Sequence, residues 1–476
     1  MYSARKIQIS STDPLYDYCC QLSHQVNNLS NTALFRCRQI LTASKKEPSV
    51  WTDNERAAMD EIATVFPGKK LKSLSYGALE RLLRDTGNPD FFAGGLPRQA
   101  AQQTLKQVSR DMNSFFAAIK AYQKSPQSFT GKPKLPHYKK KGGLATVTLT
   151  NQDCVVYRNE DGSCYCKFPL TKLCCDIGSE VPGKLKQVEI KPFHNVFFLV
   201  FIFEDSLEPL HVSEAPNRIC AIDFGVENTA AITNNAGLPS LLFKGGVIKS
   251  QNQWYNKKMA KLVSAQTTGT TNKFQPTVES DRLCVRRENQ VVDYIRKTSK
   301  AIILWCIEND IDTIVLGHNK GWKDSSNLGH KNNQEFVQFP IGRLQNYITL
   351  SATAVGIRIV EQEESYTSKA SFADNDPIPT YGQDDDNAVF SGKRVRRGLY
   401  RNADGSKVNA DLNGSANILR KAFPNAFSDG VMPSFTNVVV IKHPDYQSRS
   451  ANREHQLADR KGISQAKLNR QARKDK

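Results

Sequence analysis

CAIDFGVENTAAITNN (220–235) reads as two strands hinged at a glycine. An apolar run ends in Asp223, a tight turn forms at Gly225, and a second run continues through Ala230, Ala231 and Ile232. A carboxylate set in an apolar strand is costly unless something cationic compensates it. Taken alone, Asp223 also reads as an ordinary turn cap. Downstream, TIVLG (313–317) and GIRIV (356–360) are short buried strands. Helical spacing precedes each: Val291, Ile295, Thr298, Ile302 and Trp305 on one face, then Ile341, Leu344 and Ile348 on another. Strands alternating with helices predict an α/β sheet domain from about residue 216.

Working back toward the N-terminus, residues 144–205 turn to strands. ATVTLT, CVVYR, CYCKFPL, QVEIKPF and NVFFLVFIFED are rich in β-branched and aromatic residues, which fits a small antiparallel barrel or sheet module. Residues 15 to about 125 read as helical. Ala101, Leu105, Val108, Met112, Phe115, Ile119 and Tyr122 form one apolar stripe, flanked by Lys106, Arg110, Lys120 and Lys124. Between the two regions, SPQSFTGKPKLPHYKKKGG (125–143) is an extended basic connector, either a solvated linker or a strap that contacts nucleic acid. The polar tail from about 430 is expected to be disordered.

Lys and Arg number 65 against 47 acids, a formal charge of +18, which favours a polyanionic partner. No amphipathic anchor or membrane-spanning run is present in the sequence: the longest apolar stretch, Val196 to Phe203, is far too short to cross a bilayer as a helix. The opening MYSARKIQIS carries no signal-peptide pattern, so a cytoplasmic location is expected, nuclear in a eukaryote. The eleven cysteines include no CxxC and read as reduced structural thiols.

Acidic residues gather at three places in the α/β region. Asp223 ends the first strand, Glu361, Glu363 and Glu364 crown GIRIV, and Asp411 opens a short helix in DLNGSANILRK (411–421), with Asn413 as a candidate partner. Asp and Glu without His or Cys form the hard-oxygen set that magnesium prefers. Two such ions about 4 Å apart can stabilise both the attacking and the leaving oxygen of a phosphodiester. A strand-Asp-x-Gly turn also opens the phosphate loops of actin-like ATPases, but no second copy occurs in this chain.

Seven segments in order resemble the TnpB family of transposon-encoded RNA-guided nucleases, relatives of compact type V CRISPR effectors and of Fanzor proteins. They are LPRQAAQQTLKQV (96–108), GKPKLPHYKKK (131–141), AIDFGVENTAAI (221–232), LGHNKGWKD (316–324), ESYTSKAS (364–371), SGKRVRRGLYR (391–401) and NADLNGSANILRK (409–421). The resemblance implies a multidomain α+β protein. Its parts would be a helical recognition domain (13–125), a β-barrel wedge domain (1–12 and 126–214), a RuvC domain with an RNase H-like sheet (215–364 and 409–429), an insert (365–408) and a basic tail (430–476). It also implies a guide RNA, a double-stranded DNA target beside a short motif, and cleavage with magnesium by Asp223, Glu364 and Asp411.

This chain departs from the common pattern twice. The strand that usually carries the catalytic Glu here offers Gly317 and His318, so the resemblance moves that role to Glu364, with Glu363 as the fallback because neighbouring strand residues face opposite ways. The insert has no cysteines, so no zinc is expected there. Lys132, Lys134, Lys139, Lys140 and Lys141 in the strap are candidate phosphate contacts, as are Lys393, Arg394, Arg396, Arg397 and Arg401 in the insert. A guide-dependent binder with a dead nuclease site is the alternative if neither glutamate reaches the metals.

Overall fold

The computed structural model describes residues 2–179, 181, 183–205, 215–318, 339–380, 388–396 and 398–444. The chain divides into two units, 1–207 and 208–476.

The first unit starts with β1 (Tyr2–Ile9), continues through α1 (Leu15–Ala43), α2 (Asp53–Val65), α3 (Tyr76–Asp85) and α4 (Arg98–Lys124), and ends in six strands. These are β2 (Val147–Thr150), β3 (Val155–Arg158), β4 (Cys164–Lys167), β5 (Cys174–Gly178), β6 (Gly183–Phe193) and β7 (Val196–Asp205). The stripe on α4 is core only in its first half: Ala101, Leu105, Val108 and Met112 are buried, whereas Ile119 and Tyr122 are half-buried. Among the described residues the strands make two antiparallel sheets, β1-β7-β6-β2 and β3-β4-β5. Both share one core with the helices, through Leu22 and Leu29 of α1, Leu105 of α4, Val147, Cys166 and Phe201. All eleven cysteines are free thiols.

The second unit is built on a six-stranded sheet. β8 (Ile219–Asp223), β9 (Asn228–Asn234) and β10 (Ser240–Lys244) form an antiparallel meander. Helices α5 (Gly246–Thr267) and α6 (Val278–Glu308) lead to β11 (Thr313–His318), and α7 (Ile341–Ala354) leads to β12 (Arg358–Glu363). β11 runs parallel to both β8 and β12. Counted from β8, the first five strands lie in the order 3-2-1-4-5, with the second antiparallel to its neighbours, which is the RNase H-like arrangement. A small sheet of β13 (Lys393–Arg396), β14 (Leu399–Arg401) and β15 (Lys407–Asn409) precedes α8 (Ala410–Ala422).

One expectation fails here. The tail was predicted disordered from 430, yet β16 (Val438–Ile441) pairs in parallel with β10 and becomes the sixth strand. Three valines and an isoleucine have the β-branched shape a pleated sheet accepts, and the half-buried edge rewards them locally despite their polar surroundings. Residues 445–476 lie outside the described residues.

Alternation along the strands decides what faces what. Cys220, Ile222, Ile314 and Leu316 pack with α6 and α7 on one side of the sheet. Ile219, Ala221 and Val315 pack on the other side against Ile418 and Leu419 of α8. Asp223 continues the second series, as does Gly317. Both therefore come to the side covered by α8.

Candidate active site

Two glycines leave room for two of the acids. A Cβ at Gly414 of α8 would stand 2.7 Å from Asp223 Oδ2, and one at Gly317 of β11 would stand 2.6 Å from Glu364 Oε2. Real Cβ atoms do not approach this closely, so each glycine leaves space that a carboxylate fills. The carboxylate of Glu364, from just past the end of β12, reaches the volume beside Gly317.

Glu364 and Asp411 both act electrically on Asp223. Burial pushes the Asp223 carboxyl well above the usual carboxylate range, Glu364 and then Asp411 push it further, and the positive Arg394 partly opposes them. Asp411 lies in the first turn of α8, where the helix N-terminus favours a negative charge. The N-cap is Asn409, whose side chain accepts from the Asp411 and Leu412 amides, so Asp411 is released from capping.

The other sequence candidates separate cleanly. Glu363 is committed elsewhere: Lys421 Nζ donates to its Oε2 at 2.7 Å and the Ser365 amide to its Oε1 at 2.7 Å. Glu361 is exposed on β12. Asn413 does not serve Asp411. It is buried, accepts from the Phe372 amide at 3.0 Å and donates to the Ala370 carbonyl at 2.8 Å, because residues two apart on a helix face different ways.

Two residues that the sequence reading passed over take the place given to Asn413. Asn228 Nδ2 donates to Asp411 Oδ2 at 2.6 Å, and Lys244 Nζ donates to Asn228 Oδ1 at 2.8 Å. A signal for Lys244 existed: like Asp223, it is a charge at the end of an apolar strand, in SLLFK.

Among the described residues no three His, Cys, Asp or Glu side chains are gathered closely enough to hold an ion as they stand. The donor set nevertheless suits a hard divalent cation: three carboxylates, no sulfur or imidazole, and glycines that clear space beside two of them. Asp411 Oδ1 instead accepts from Arg394 Nη2 at 3.2 Å.

The insert that carries Arg394 is knit by hydrogen bonds. Buried Asp376 accepts from the amides of Ser371 at 2.7 Å and Ser391 at 3.0 Å, and also from the Ser391 hydroxyl. Tyr400, fully buried, donates to the Lys369 carbonyl at 2.7 Å. Lys393, Arg394, Arg396 and Arg401 are exposed on β13 and β14, while Arg397 lies outside the described residues, as do Asp384–Asp386 and Trp322.

In the first unit, the basic strap is laid along α1. Asn31 both accepts from the Lys139 amide at 2.8 Å and donates to its carbonyl at 3.1 Å; Asn27 donates to the Lys140 carbonyl at 3.0 Å. Arg38 lies over the Tyr138 ring at 4.7 Å. The strap backbone is thereby held down while Lys132, Lys134, Lys139, Lys140 and Lys141 stay exposed.

Residues 203–323 match the OrfB_IS605 family, described as "Probable transposase". The "TnpB-like protein ORF457" of Acidianus two-tailed virus is 26% identical over 213 residues, 43% of this chain and 42% of the viral protein, so the match spans less than half of that relative. Among solved structures, the Cas12f1-sgRNA-target DNA complex is similar over 87% of this chain and 98% of that one, at 14% identity and a TM-score of 0.31. The mini-RNA-guided endonuclease "CRISPR-Cas_phi3" is similar over 89% and 92%, at 8% identity and a TM-score of 0.40. Both scores are too low to bear on mechanism.

Proposed function

We propose that the chain, similar to a TnpB-like protein and matching the OrfB_IS605 model over residues 203–323, is an RNA-guided DNA endonuclease of the TnpB type whose RuvC site is Asp223, Glu364 and Asp411. The observation that carries this reading is that Asp223 of β8 and Glu364 past the end of β12 fill the space that Gly414 and Gly317 leave open, with Glu364 and Asp411 of α8 both acting electrically on Asp223. Glu364 and Asp411 both raise the Asp223 carboxyl, a repulsion that a bound cation would relieve.

In this reading the three carboxylates hold magnesium, which when bound supplies the positive charge that phosphodiester hydrolysis requires on its attacking and leaving oxygens. The protein's own contributions are positional. β8 fixes Asp223 at a strand end, Asn228 orients Asp411, and the glycine in β11 lets Glu364 come in from the side. The exposed cations of β13 and β14 hold the phosphates of a single strand. The strap lysines do the same for the guide RNA, whose base pairing supplies the specificity.

The test is cleavage of DNA matched to the RNA that copurifies with the protein and its flanking locus, in magnesium. Asp223→Asn and Glu364→Gln should each abolish cutting while leaving RNA bound. Cutting that survives Glu364→Gln would remove it from the site, and guided binding without cutting by the unaltered protein would favour a dead nuclease. The actin-like ATPase alternative finds no second sheet of this order among the described residues; nucleotide hydrolysis without RNA would revive it.

A further inference from the structure

The two oxygens of Asp411 have partners of opposite kinds. On Oδ2, the donor is Asn228, 2% exposed and rooted in the sheet. Its amide cannot turn around. The Lys244 ammonium only donates, so it must meet Oδ1 of Asn228 and leave Nδ2 for Asp411. Lys244 reaches that position through an irregularity in the β9–β10 ladder between Phe243 and Lys244, the kind of bulge that re-aims a side chain. The next residue, Gly245, lies so close to the 226–227 turn that a Cβ there would stand 2.3 Å from the Val226 carbonyl oxygen. The corner is thus fixed from three sides.

On Oδ1, the donor is Arg394 at 3.2 Å, from a side chain 46% exposed on a strand whose four residues all face solvent. A guanidinium fits a carboxylate and a phosphate equally well and stays charged in both settings.

We propose that Asp411 is a divided ligand. Oδ2 is held permanently by the Asn228–Lys244 pair, whereas Oδ1 is held by Arg394 only until a divalent cation takes it, and Arg394 then passes to a phosphate of the substrate strand. This rests on the nuclease reading and deepens it: Asn228 and Lys244 are positioning residues, and Arg394 exchanges partners between the empty and the loaded site. In the empty site Arg394 offsets the acids around Asp223 and in doing so competes with the metal.

The test measures metal binding directly and apart from cutting. Mn2+ is titrated into the full-length chain without DNA and followed by electron paramagnetic resonance, with Asp223→Asn/Asp411→Asn as the blank for other sites. Removing a competitor and removing a support move affinity in opposite directions. Arg394→Ala should bind Mn2+ more tightly, by up to about fivefold, yet cut matched DNA more slowly at saturating metal. Lys244→Met and Asn228→Ala should each bind Mn2+ about tenfold more weakly, with cutting regained at high metal. Lys244 is half-buried, so its variant serves if Asn228→Ala fails to fold. Unchanged or weaker binding by Arg394→Ala overturns the proposal, as does unchanged binding by Lys244→Met. Failure of the unaltered chain to bind Mn2+ above the blank overturns the nuclease site itself. Binding with the expected opposite signs but no cutting would uphold the divided ligand and leave the endonuclease reading as the part that failed.

Discussion

Glu364 occupies the space that a side chain at residue 317 would need, its Oε2 lying 2.6 Å from where that Cβ would be. The two positions are therefore one structural decision. Gly317→Ala should drive the Glu364 carboxylate from its place, and a displacement of about 1 Å in a catalytic group can cost on the order of 100-fold in rate. In a Glu364→Ala background the same substitution should cost little more. Cleavage rates of the two single variants and the double variant check this; full additivity would separate the residues.

Asp223 ties stability to pH. Its carboxyl titrates well above the usual range because of burial, then Glu364, then Asp411. Between the ordinary aspartate pKa, about 3.9, and that raised value, the folded chain keeps a proton that the unfolded chain has released. Folding then takes up a proton, and stability falls as pH rises through the window. Without metal, the melting temperature should drop from weakly acidic toward neutral pH, and magnesium should restore it. Asp223→Asn should melt higher than the unaltered chain at neutral pH and lose this pH dependence.

Asp376 holds the two ends of the insert's first loop together through the amides of Ser371 and Ser391. Asp376→Ala leaves the buried Ser371 amide without its acceptor, a loss of about 1–3 kcal/mol locally. Hydrogen exchange over residues 370–401 should rise in this variant, while α4 in the other unit stays protected. Chelators should leave the insert's protection unchanged, since hydrogen bonds are what tie it.

Along the strap, Asn31 holds both backbone groups of Lys139. Asn31→Ala should weaken RNA binding without removing a charge, leaving the salt dependence nearly as it was. Lys139→Gln should instead lower the slope of log K against log salt by about 0.7. Filter-binding titrations across a salt series distinguish the two; equal slopes for Lys139→Gln and the unaltered chain would take that lysine off the backbone.

Much of the site could be read in advance because it is written in strand periodicity. A charge ending an apolar run located Asp223, and parity along β8 and β11 says which side of the sheet it joins. The choice between Glu363 and Glu364 lay beyond that reading. What favours Glu364 is Lys421, fifty-eight residues on, which engages Glu363, and the missing side chain of Gly317 on a neighbouring strand, which makes room for Glu364. Asn413 was misplaced for a reason that was available: an i,i+2 pair on a helix does not share a face. Asn228 was harder to find, since its role depends on a lysine delivered by a bulge that no local pattern announces. β5, β10 and β16 were passed over because each is short, and edge or neighbour pairing, not composition alone, makes it a strand.

The place of β16 in the sheet has a consequence for biosynthesis. It is the last of the described strands to leave the ribosome, emerging after α8 has already delivered Asp411, and it pairs with β10 at the rim. A nascent chain released just after α8 would own all three acids yet present the apolar residues Leu241, Leu242 and Phe243 beside an unpaired backbone ladder. Open edges of that kind recruit other strands. A message cut short between α8 and β16 would thus yield a polypeptide with all three of the proposed site acids and a strong tendency to stick to its own copies.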